Sequence, residues 1–333
     1  MNSSSDSDRK NEISAYILLI LTMVIWGGTW PLGRWLVSEE VGGETIPPMM
    51  IAAIRYMVVI ICFFLVIKYQ EGTLNFQFAK ENWKILTVMG LTSVTIYQAG
   101  YLIGAIFTAA SDASILVTTN AIWVIILASA FLKTEFFTWK KAVGTFLAIA
   151  GVITIVGFSP NVDVPNRILG DILILIAAFA YATYTVILRS FLTKNQNTVD
   201  SYQPTSLWII TWVSFCGFLT TTPISLLLSP EFLNPFEYFT IPARVWFGIA
   251  YLALLSSVAG YTFYLEGVKR LNASRAAIFQ TLVPLFGVIL SVIFLNERLD
   301  VFIHSLAFLL VISGIILVNR NASNNKEKKV QQN

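Results

Sequence analysis

The segment ILLILTMVIWGGTWPLGRWLV, residues 17–37, recurs in altered form as ILILIAAFAYATYTVILRSFL, residues 172–192. A shift of 155 residues along the chain aligns the two segments and places Arg34 on Arg189. Each copy is apolar and long enough to cross a bilayer core of about 30 Å as one helix. The chain is therefore predicted to contain two related halves, each made of membrane helices.

The composition agrees with this class of protein. Of the 333 residues, 56% are hydrophobic and 12% are charged, and the mean hydropathy is +0.71. These values predict an all-α polytopic membrane protein. Ten apolar stretches, separated by short polar, Pro or Gly breaks, are predicted to be transmembrane helices. They cover residues 14–35, 48–67, 85–107, 112–132, 141–158, 171–190, 205–228, 244–266, 275–295 and 302–319.

A second internal match, at a shift of 163 residues instead of 155, extends the duplication to the rest of the chain. The two shifts differ because the loops between the matched segments differ in length. Ten spans in two copies make five per copy, and an odd number inverts the second copy in the membrane. Two inverted five-helix repeats are the usual architecture of carriers that work by alternating access. At a shift of 163 residues the identical pairs are Tyr101 and Tyr264, Gly104 and Gly267, Ser111 and Ser274, Ile115 and Ile278, and Gly151 and Gly314.

The predicted spans divide the chain into four parts. These are a cytoplasmic N-terminal tail at 1–13, a first repeat at 14–158, a second repeat at 171–320 and a cytoplasmic disordered tail at 321–333. The first span lacks the small-residue cleavage pattern of a signal peptide, so no N-terminal cleavage is expected.

The positions of Lys and Arg predict the orientation. If the N-terminus is cytoplasmic, most of the 22 Lys and Arg residues fall in cytoplasmic segments. Only Arg167, Arg244 and Arg298 then lie clearly outside. The positive-inside rule therefore predicts that both termini are cytoplasmic. With ten predicted spans, the protein is expected to cross the cell membrane many times.

Four segments carry a resemblance to a known family. WGGTWPLGRWL at 26–36 and AAIRYM at 52–57 lie in the first two predicted helices. VPLFGVILSVIFLNERL at 283–299 places a proline in mid-helix and an acidic residue in the next loop. AIWVIILASAFLKTEFF at 121–137 is its counterpart in the first repeat. With these motifs, residues 14–320 resemble the drug/metabolite transporter superfamily, in its ten-helix EamA-type branch.

The resemblance implies a transporter that exports or exchanges small metabolites, often amino acids, through a cavity between two bundles. The many aromatic residues suit amino acids or similar amphiphilic organic solutes. The alternative on the same scaffold is a nucleotide-sugar or sugar-phosphate antiporter, which requires cations around the cavity to neutralise phosphate. The related small-cation antiporters carry a glutamate in the middle of helix one, but no glutamate occurs here between Glu12 and Glu39. Facilitated or exchange-type transport is therefore expected.

An integral membrane enzyme is the rival class. Such enzymes need clustered carboxylates, zinc-spaced histidines or an activated nucleophile. The sequence has one histidine, His304, which is interpreted as incidental, so no catalytic residue, metal or cofactor is predicted. The expected partners are a small-molecule substrate and the lipid bilayer, without nucleic acid. Ten helices suffice for a cavity within one chain, so a functional monomer is expected.

The first helix is predicted to form one wall of the cavity. Trp26, Trp30 and Arg34 recur every fourth residue and share a helix face, and Pro31 loosens the helix between them. We expect both tryptophans to line the cavity, with packing between helices as the alternative. Arg34 is expected to extend to the external surface.

The corresponding helix of the second repeat carries Tyr181 on the same face as Arg189. The arginines Arg34 and Arg189 would then lie at opposite mouths of the cavity. Together with Pro31 and Pro284, they are the predicted gating residues.

Arg55 lies about 10 Å into the second helix, counted from Pro48. A charged side chain near the centre of a membrane helix costs about 2.5–3.5 kcal/mol unless a partner or water solvates it. Two interpretations carry equal weight. Arg55 either binds a substrate anion or gates the external vestibule, or it forms a structural bond to backbone carbonyls or to Asp112.

Further polar and aromatic residues at mid-membrane depth complete the predicted site. Tyrosine hydroxyls suit a wet, partly apolar cavity. Amides at this depth need a partner, which is either a neighbouring helix or the substrate. Two tryptophans in the seventh helix repeat the four-residue spacing of the first. The additional predicted substrate-binding residues are Tyr97, Tyr101, Asn120, Trp208, Trp212, Tyr261 and Gln280.

Overall fold

The computed structural model describes residues 2–131, 139–159, 166–196, 203–271 and 279–330. Within these ranges the chain is helical apart from short connections, and they contain no strand. The all-α prediction is therefore confirmed for the described part. The predicted start of the ninth span, residue 275, and the last three residues of the C-terminal tail lie outside it.

Fifteen α-helices occur in the described ranges, numbered here in chain order. The first half contains α1 Asn2–Val37, α2 Pro48–Glu71, α3 Phe76–Glu81, α4 Trp83–Gly90, α5 Tyr97–Phe107, α6 Ala110–Leu116, α7 Asn120–Phe131 and α8 Trp139–Phe158. The second half contains α9 Arg167–Gln196, α10 Ser206–Leu228, α11 Glu237–Thr240, α12 Ala243–Ala250, α13 Gly260–Leu271, α14 Leu282–Leu295 and α15 Val301–Val330. Helix α15 thus continues through residues 321–330, the stretch assigned above to a tail.

Seven helical segments among the described residues are long and apolar enough to cross a membrane. They are Ile13–Val37, Pro48–Gln70, Trp83–Phe107, Ala110–Phe131, Arg167–Lys194, Ser206–Leu228 and Ala243–Leu271. The shorter apolar helices are Ala142–Phe158, Leu282–Leu295 and Val301–Leu317. The protein is thus a multi-pass membrane protein, and a total of ten spans remains a prediction.

The main helix contacts join the two halves in a regular pattern. The sequence shifts pair α1 with α9, α2 with α10, α5 with α13, α7 with α14, and α8 with α15. In the structure, α1 packs on α13 and α14, while α9 packs on α5 and α7. Helix α2 packs on α10, and α8 packs on α15. For these helices, exchanging each one for its repeat partner reproduces the same main contacts.

Matching helices in the two halves also share a π-helical stretch. It covers Leu91–Ile96 between α4 and α5, and Tyr251–Ala259 between α12 and α13. The wider turn is visible at Ser257, whose hydroxyl donates to the carbonyl of Leu252 five residues earlier, at 3.0 Å. Such stretches are frequent at functional sites because they change which side chains a helix presents.

Helix α1 lies very close to α14. A Cβ atom added to Gly27 would lie 2.6 Å from the Cβ of Phe286 and 3.0 Å from the backbone nitrogen of Gly287. Because no side chain fits in this gap, glycine lets the two helices approach. The contact joins the first half to the second beside the cavity described next.

Candidate functional site

A cavity of about 260 Å³ lies between the two halves. Small-molecule sites typically measure about 300–1,000 Å³. The cavity lies just below this range, so its size suits a small metabolite. Nine of the residues predicted from the sequence line it. From the first half these are Trp26, Trp30, Arg55, Tyr97, Tyr101 and Asn120, and from the second half Tyr181, Tyr261 and Gln280.

Arg55 is the charged group of the cavity wall. The residue is 7% exposed. Its Nε and Nη2 donate to the hydroxyl of Ser257 at 3.2 and 3.0 Å, and its Nη1 lies 3.5 Å from the amide oxygen of Gln98. Nη2 is also 3.5 Å from the hydroxyl of Ser256. All these acceptors are neutral, so Arg55 forms no ion pair among the described residues.

The serines that hold Arg55 come from the opposite half of the chain. Ser256 and Ser257 are consecutive residues of the second π-helical stretch, and both are buried. The backbone carbonyl of Ser256 also accepts a hydrogen bond from the indole of Trp26 at 2.9 Å. Neither serine was predicted from the sequence, although both lie about one turn before Tyr261, a predicted cavity residue.

Aromatic rings from the two halves meet around the cavity. Trp26 packs against Tyr261 with ring centroids 5.7 Å apart, and Tyr97 packs against Tyr181 at 5.4 Å. These separations fall in the range of favourable aromatic pairs. The cavity wall therefore combines one buried cation with flat apolar surfaces that carry hydroxyl groups.

One end of the cavity is closed by polar contacts centred on Glu297. One carboxylate oxygen accepts from the backbone nitrogen of Ala110 at 2.7 Å, and the other accepts from the nitrogen and hydroxyl of Ser111 at 2.9 and 2.6 Å. Arg34 Nη1 lies 3.7 Å from this carboxylate and donates to the carbonyl of Thr108. The side chains of Glu297 and Arg34 are only 5% and 3% exposed, so water is largely excluded there.

The prediction that Arg34 extends to the external surface is wrong. Its guanidinium turns into the bundle because a buried carboxylate and a backbone carbonyl are available there. Asp112 likewise does not pair with Arg55. It lies 3.6 Å from Arg167 and 3.2 Å from the imidazole of His304 instead.

Asp112 belongs to a second buried cluster at the closed end. Arg167 Nη1 lies 3.4 Å from Asp171, and Asp171 accepts from the hydroxyl of Thr108 at 2.5 Å. Both aspartates are fully buried. His304, interpreted above as incidental, is 3% exposed and part of this cluster. The four-residue spacing of Arg167 and Asp171 was the one local signal for it.

Gln280, the wall residue just before α14, lies at the more exposed end of the cavity. Gln280 is exposed, and Asn120 and Thr118 on the facing helices are partly exposed. Gln280 precedes α14 and Glu297 follows it, so these two residues lie at opposite ends of this helix. Among the described residues, the wall residues at the Gln280 end are therefore more exposed than the groups around Glu297 at the other end.

The comparisons with known proteins decide the family. The sequence model of the EamA-like transporter family matches residues 13–157 and again 168–320. The chain belongs to the EamA-like transporter family. This confirms the resemblance stated from the sequence motifs and makes the protein a membrane transporter.

Curated relatives of this EamA-like transporter carry related descriptions. An uncharacterized transporter YetK of Bacillus subtilis is 27% identical over 92% of this chain and 87% of its own. A probable amino-acid metabolite efflux pump of Escherichia coli K12 is 26% identical over 90% of this chain and 93% of its own. One solved crystal structure aligns with a TM-score of 0.56 and 17% identity, covering 93% of this chain and 99% of that one. The latter match shows a shared fold.

Two residues predicted to bind substrate lie elsewhere in the transporter. Trp208 and Trp212 do not line the cavity, and both indole nitrogens donate to the carbonyl of Leu74, at 3.0 and 3.2 Å. Trp208 is fully buried, and its ring packs against Phe78. These tryptophans anchor α10 to the connection that follows α2.

Of the other predicted gating residues, two lie inside helices and one is exposed away from the cavity. Pro31 lies inside α1, which continues to Val37 without a break. Pro284 is buried in the first turn of α14, and the carbonyl of Gln280 one turn earlier accepts from the nitrogen of Val283 at 3.1 Å. Arg189 is exposed near the end of α9 and does not line the cavity.

Proposed function

We propose that this transporter moves small metabolites, namely amino acids or similar amphiphilic organic solutes, across the cytoplasmic membrane by alternating access. The observation that carries the proposal is the cavity between the halves, with buried polar contacts around Glu297 beyond one end and more exposed wall residues near Gln280. A carrier needs two such states of similar energy, one open to each side. Export or facilitated exchange are the modes that this arrangement serves.

The duplicated sequence and the reciprocal helix contacts support inverted repeats as the basis of the second state. Two related halves can reverse their tilt, so that the closed end opens and the open end closes. With cytoplasmic termini, the end of α1 at Val37 is extracellular. The structure then corresponds to a state that is open to the cytoplasm and closed to the outside.

Arg34 and Glu297 serve as the outer gate in this proposal. They come from different halves, and their contacts at the closed end must break when that end opens. Pro31 lies one turn before Arg34, and Pro284 lies at the base of α14. The missing backbone donor of Pro31, inside α1, allows this helix to flex during the change.

Different residues of the cavity wall suit different parts of the substrate. Arg55 suits a carboxylate because guanidinium and carboxylate groups form charge-assisted hydrogen bonds. Rings such as Trp30 and Tyr97 suit the apolar body of the solute. Arg55 is the sole Lys or Arg among the described wall residues, so the sugar-phosphate alternative gains no support.

Two relatives described as probable amino-acid metabolite efflux pumps, from Escherichia coli and Salmonella typhimurium, support the choice of substrate. Identities of 26% connect them to this chain over most of its length. The proposal extends their described substrate class to this protein.

Uptake of radiolabelled amino acids into proteoliposomes tests the proposal. We expect saturable uptake by the wild-type protein and a severalfold loss of uptake in Trp30→Ala, because Trp30 is 4% exposed beside the cavity. Trp139→Ala is the matched control, since Trp139 is 81% exposed at the start of α8. Absence of saturable uptake of any amino acid or related organic solute by the wild-type protein would refute the proposal.

A further inference from the structure

We propose that the preferred substrate of the cavity carries one net negative charge, as an organic monocarboxylate that lacks a protonated amine. This inference rests on the proposed transport function and, within its substrate class, selects organic solutes that carry a carboxylate alone over amino acids. The observation behind it is the charge balance around Arg55, a buried cation whose partners in the described structure are all neutral.

The hydrogen bonds of Arg55 leave one edge of its guanidinium weakly engaged. Nε and Nη2 donate to Ser257 at 3.2 and 3.0 Å, whereas the contact of Nη1 with Gln98 is 3.5 Å long. A guanidinium has five N–H donors, two of them on Nη1. Because both Arg55 and Gln98 line the cavity, this edge is available to a ligand carboxylate.

The wall offers no comparable partner to an ammonium group. None of the described residues that line the cavity is Asp or Glu. The nearby acids Glu297 and Asp112 are engaged at the closed end by backbone donors, Arg34, Arg167 or His304. An α-ammonium group would therefore have only neutral oxygens and aromatic faces to bind.

The small volume of the cavity makes the charge balance decisive. An α-amino acid holds its ammonium one carbon away from its carboxylate, so binding the carboxylate at Arg55 brings two positive groups close together. Like charges in a poorly solvated site repel strongly. A monocarboxylate instead leaves the occluded cavity with no net charge, which favours closure around the solute.

Three ligands with the same ring and a matched carbon chain test the inference. They are phenylalanine, its deaminated form 3-phenylpropionate, and its decarboxylated form phenethylamine. Their affinities for the purified full-length protein are measured by isothermal titration calorimetry at pH 7.5. We expect 3-phenylpropionate to bind at least tenfold more tightly than phenylalanine, and phenethylamine not to bind.

The variants Arg55→Gln and Arg55→Lys complete the experiment. Arg55→Gln should abolish the binding of 3-phenylpropionate, while Arg55→Lys should retain part of it because the charge is kept. The comparison of ligands on the wild-type protein stands even if a variant does not fold. Tighter binding of phenylalanine than of 3-phenylpropionate overturns the inference but leaves the proposed transport function intact. Binding of none of the three overturns the inference as well, and the proteoliposome assay then decides the transport function separately.

Discussion

The substitution Glu297→Gln is expected to open the sealed end of the cavity. The Glu297 carboxylate accepts two backbone N–H groups and one hydroxyl from the start of α6, at 2.6–2.9 Å. Hydrogen bonds to a charged group contribute about 1.5–3 kcal/mol each. A glutamine at this position keeps one acceptor oxygen but loses the charge and the second acceptor.

The magnitude follows from these contacts. Loss of the charge-assisted bonds weakens the closed state by about 2–4 kcal/mol. Arg34 retains a second carboxylate, Glu40, at 3.5 Å, which limits the loss to this range. Because 1.4 kcal/mol corresponds to a tenfold change in an equilibrium constant, the ratio of the state open at this end to the closed state rises by about 30- to 700-fold.

The assay measures access to the cavity from the side on which Arg34 lies. Cys62 and Cys216 are replaced by alanine, and Thr29→Cys introduces a single thiol in the cavity wall, on α1 just before Arg34. A membrane-impermeant maleimide is then applied from that side of sealed vesicles. We expect Glu297→Gln to increase the labelling rate in proportion to the open population.

A matched control separates the gate from a general effect of charge removal. Glu266 forms ion pairs with Arg270 at 2.9 Å and with Lys269 at 3.7 Å, and its side chain is 39% exposed. Exposed ion pairs contribute about 0–1 kcal/mol, so Glu266→Gln should leave the labelling rate almost unchanged. If Glu297→Gln also leaves the rate unchanged while the protein remains folded, the gating argument is refuted.

Two further substitutions test the packing. Gly27→Val should lower the stability of the protein by about 1–3 kcal/mol, because the added Cβ would lie 2.6 Å from Phe286 Cβ. Thermal unfolding measures the loss of stability. Gly157→Val is the control, since a Cβ added at Gly157 meets no atom within 4 Å. Trp208→Phe should lower stability by about 1 kcal/mol through loss of the bond to Leu74, without changing the substrate KM in proteoliposomes. A changed KM would instead place Trp208 at the substrate site.

The cavity wall could be predicted from the sequence to a large extent. Helix periodicity places Trp26 and Trp30 on one face, and both line the cavity. The hydropathy of a segment indicates how deep each of its residues lies in the membrane, and this depth identified Arg55 as an unusual charged residue. Both signals are local, since they depend only on spacing along one helix and on distance from its end.

The same local signals failed where the partner of a helix face mattered. Trp208 and Trp212 have the spacing of Trp26 and Trp30, yet they bind the carbonyl of Leu74, more than 130 residues away in the chain. Periodicity indicates that residues share a face. It does not indicate whether that face meets the cavity or a loop.

The polar groups at the closed end show the same limit. Arg34 was expected outside and is buried against Glu297. His304 and Asp112 are 192 positions apart and meet only because α15 packs beside α6. A residue near a helix end can reach solvent or a buried partner, and spacing alone does not distinguish the two.

The sequence by itself determined the membrane class, the duplicated halves, the family and the buried depth of Arg55. Composition, segment length and internal repeats carry this information because the bilayer imposes the same length and apolarity on every span. Only the tertiary structure decided that Ser256 and Ser257 hold Arg55, that Glu297 seals one end, and which aromatic stripe faces the cavity. These contacts join residues from different halves, and they depend on how helices rotate and pack against one another.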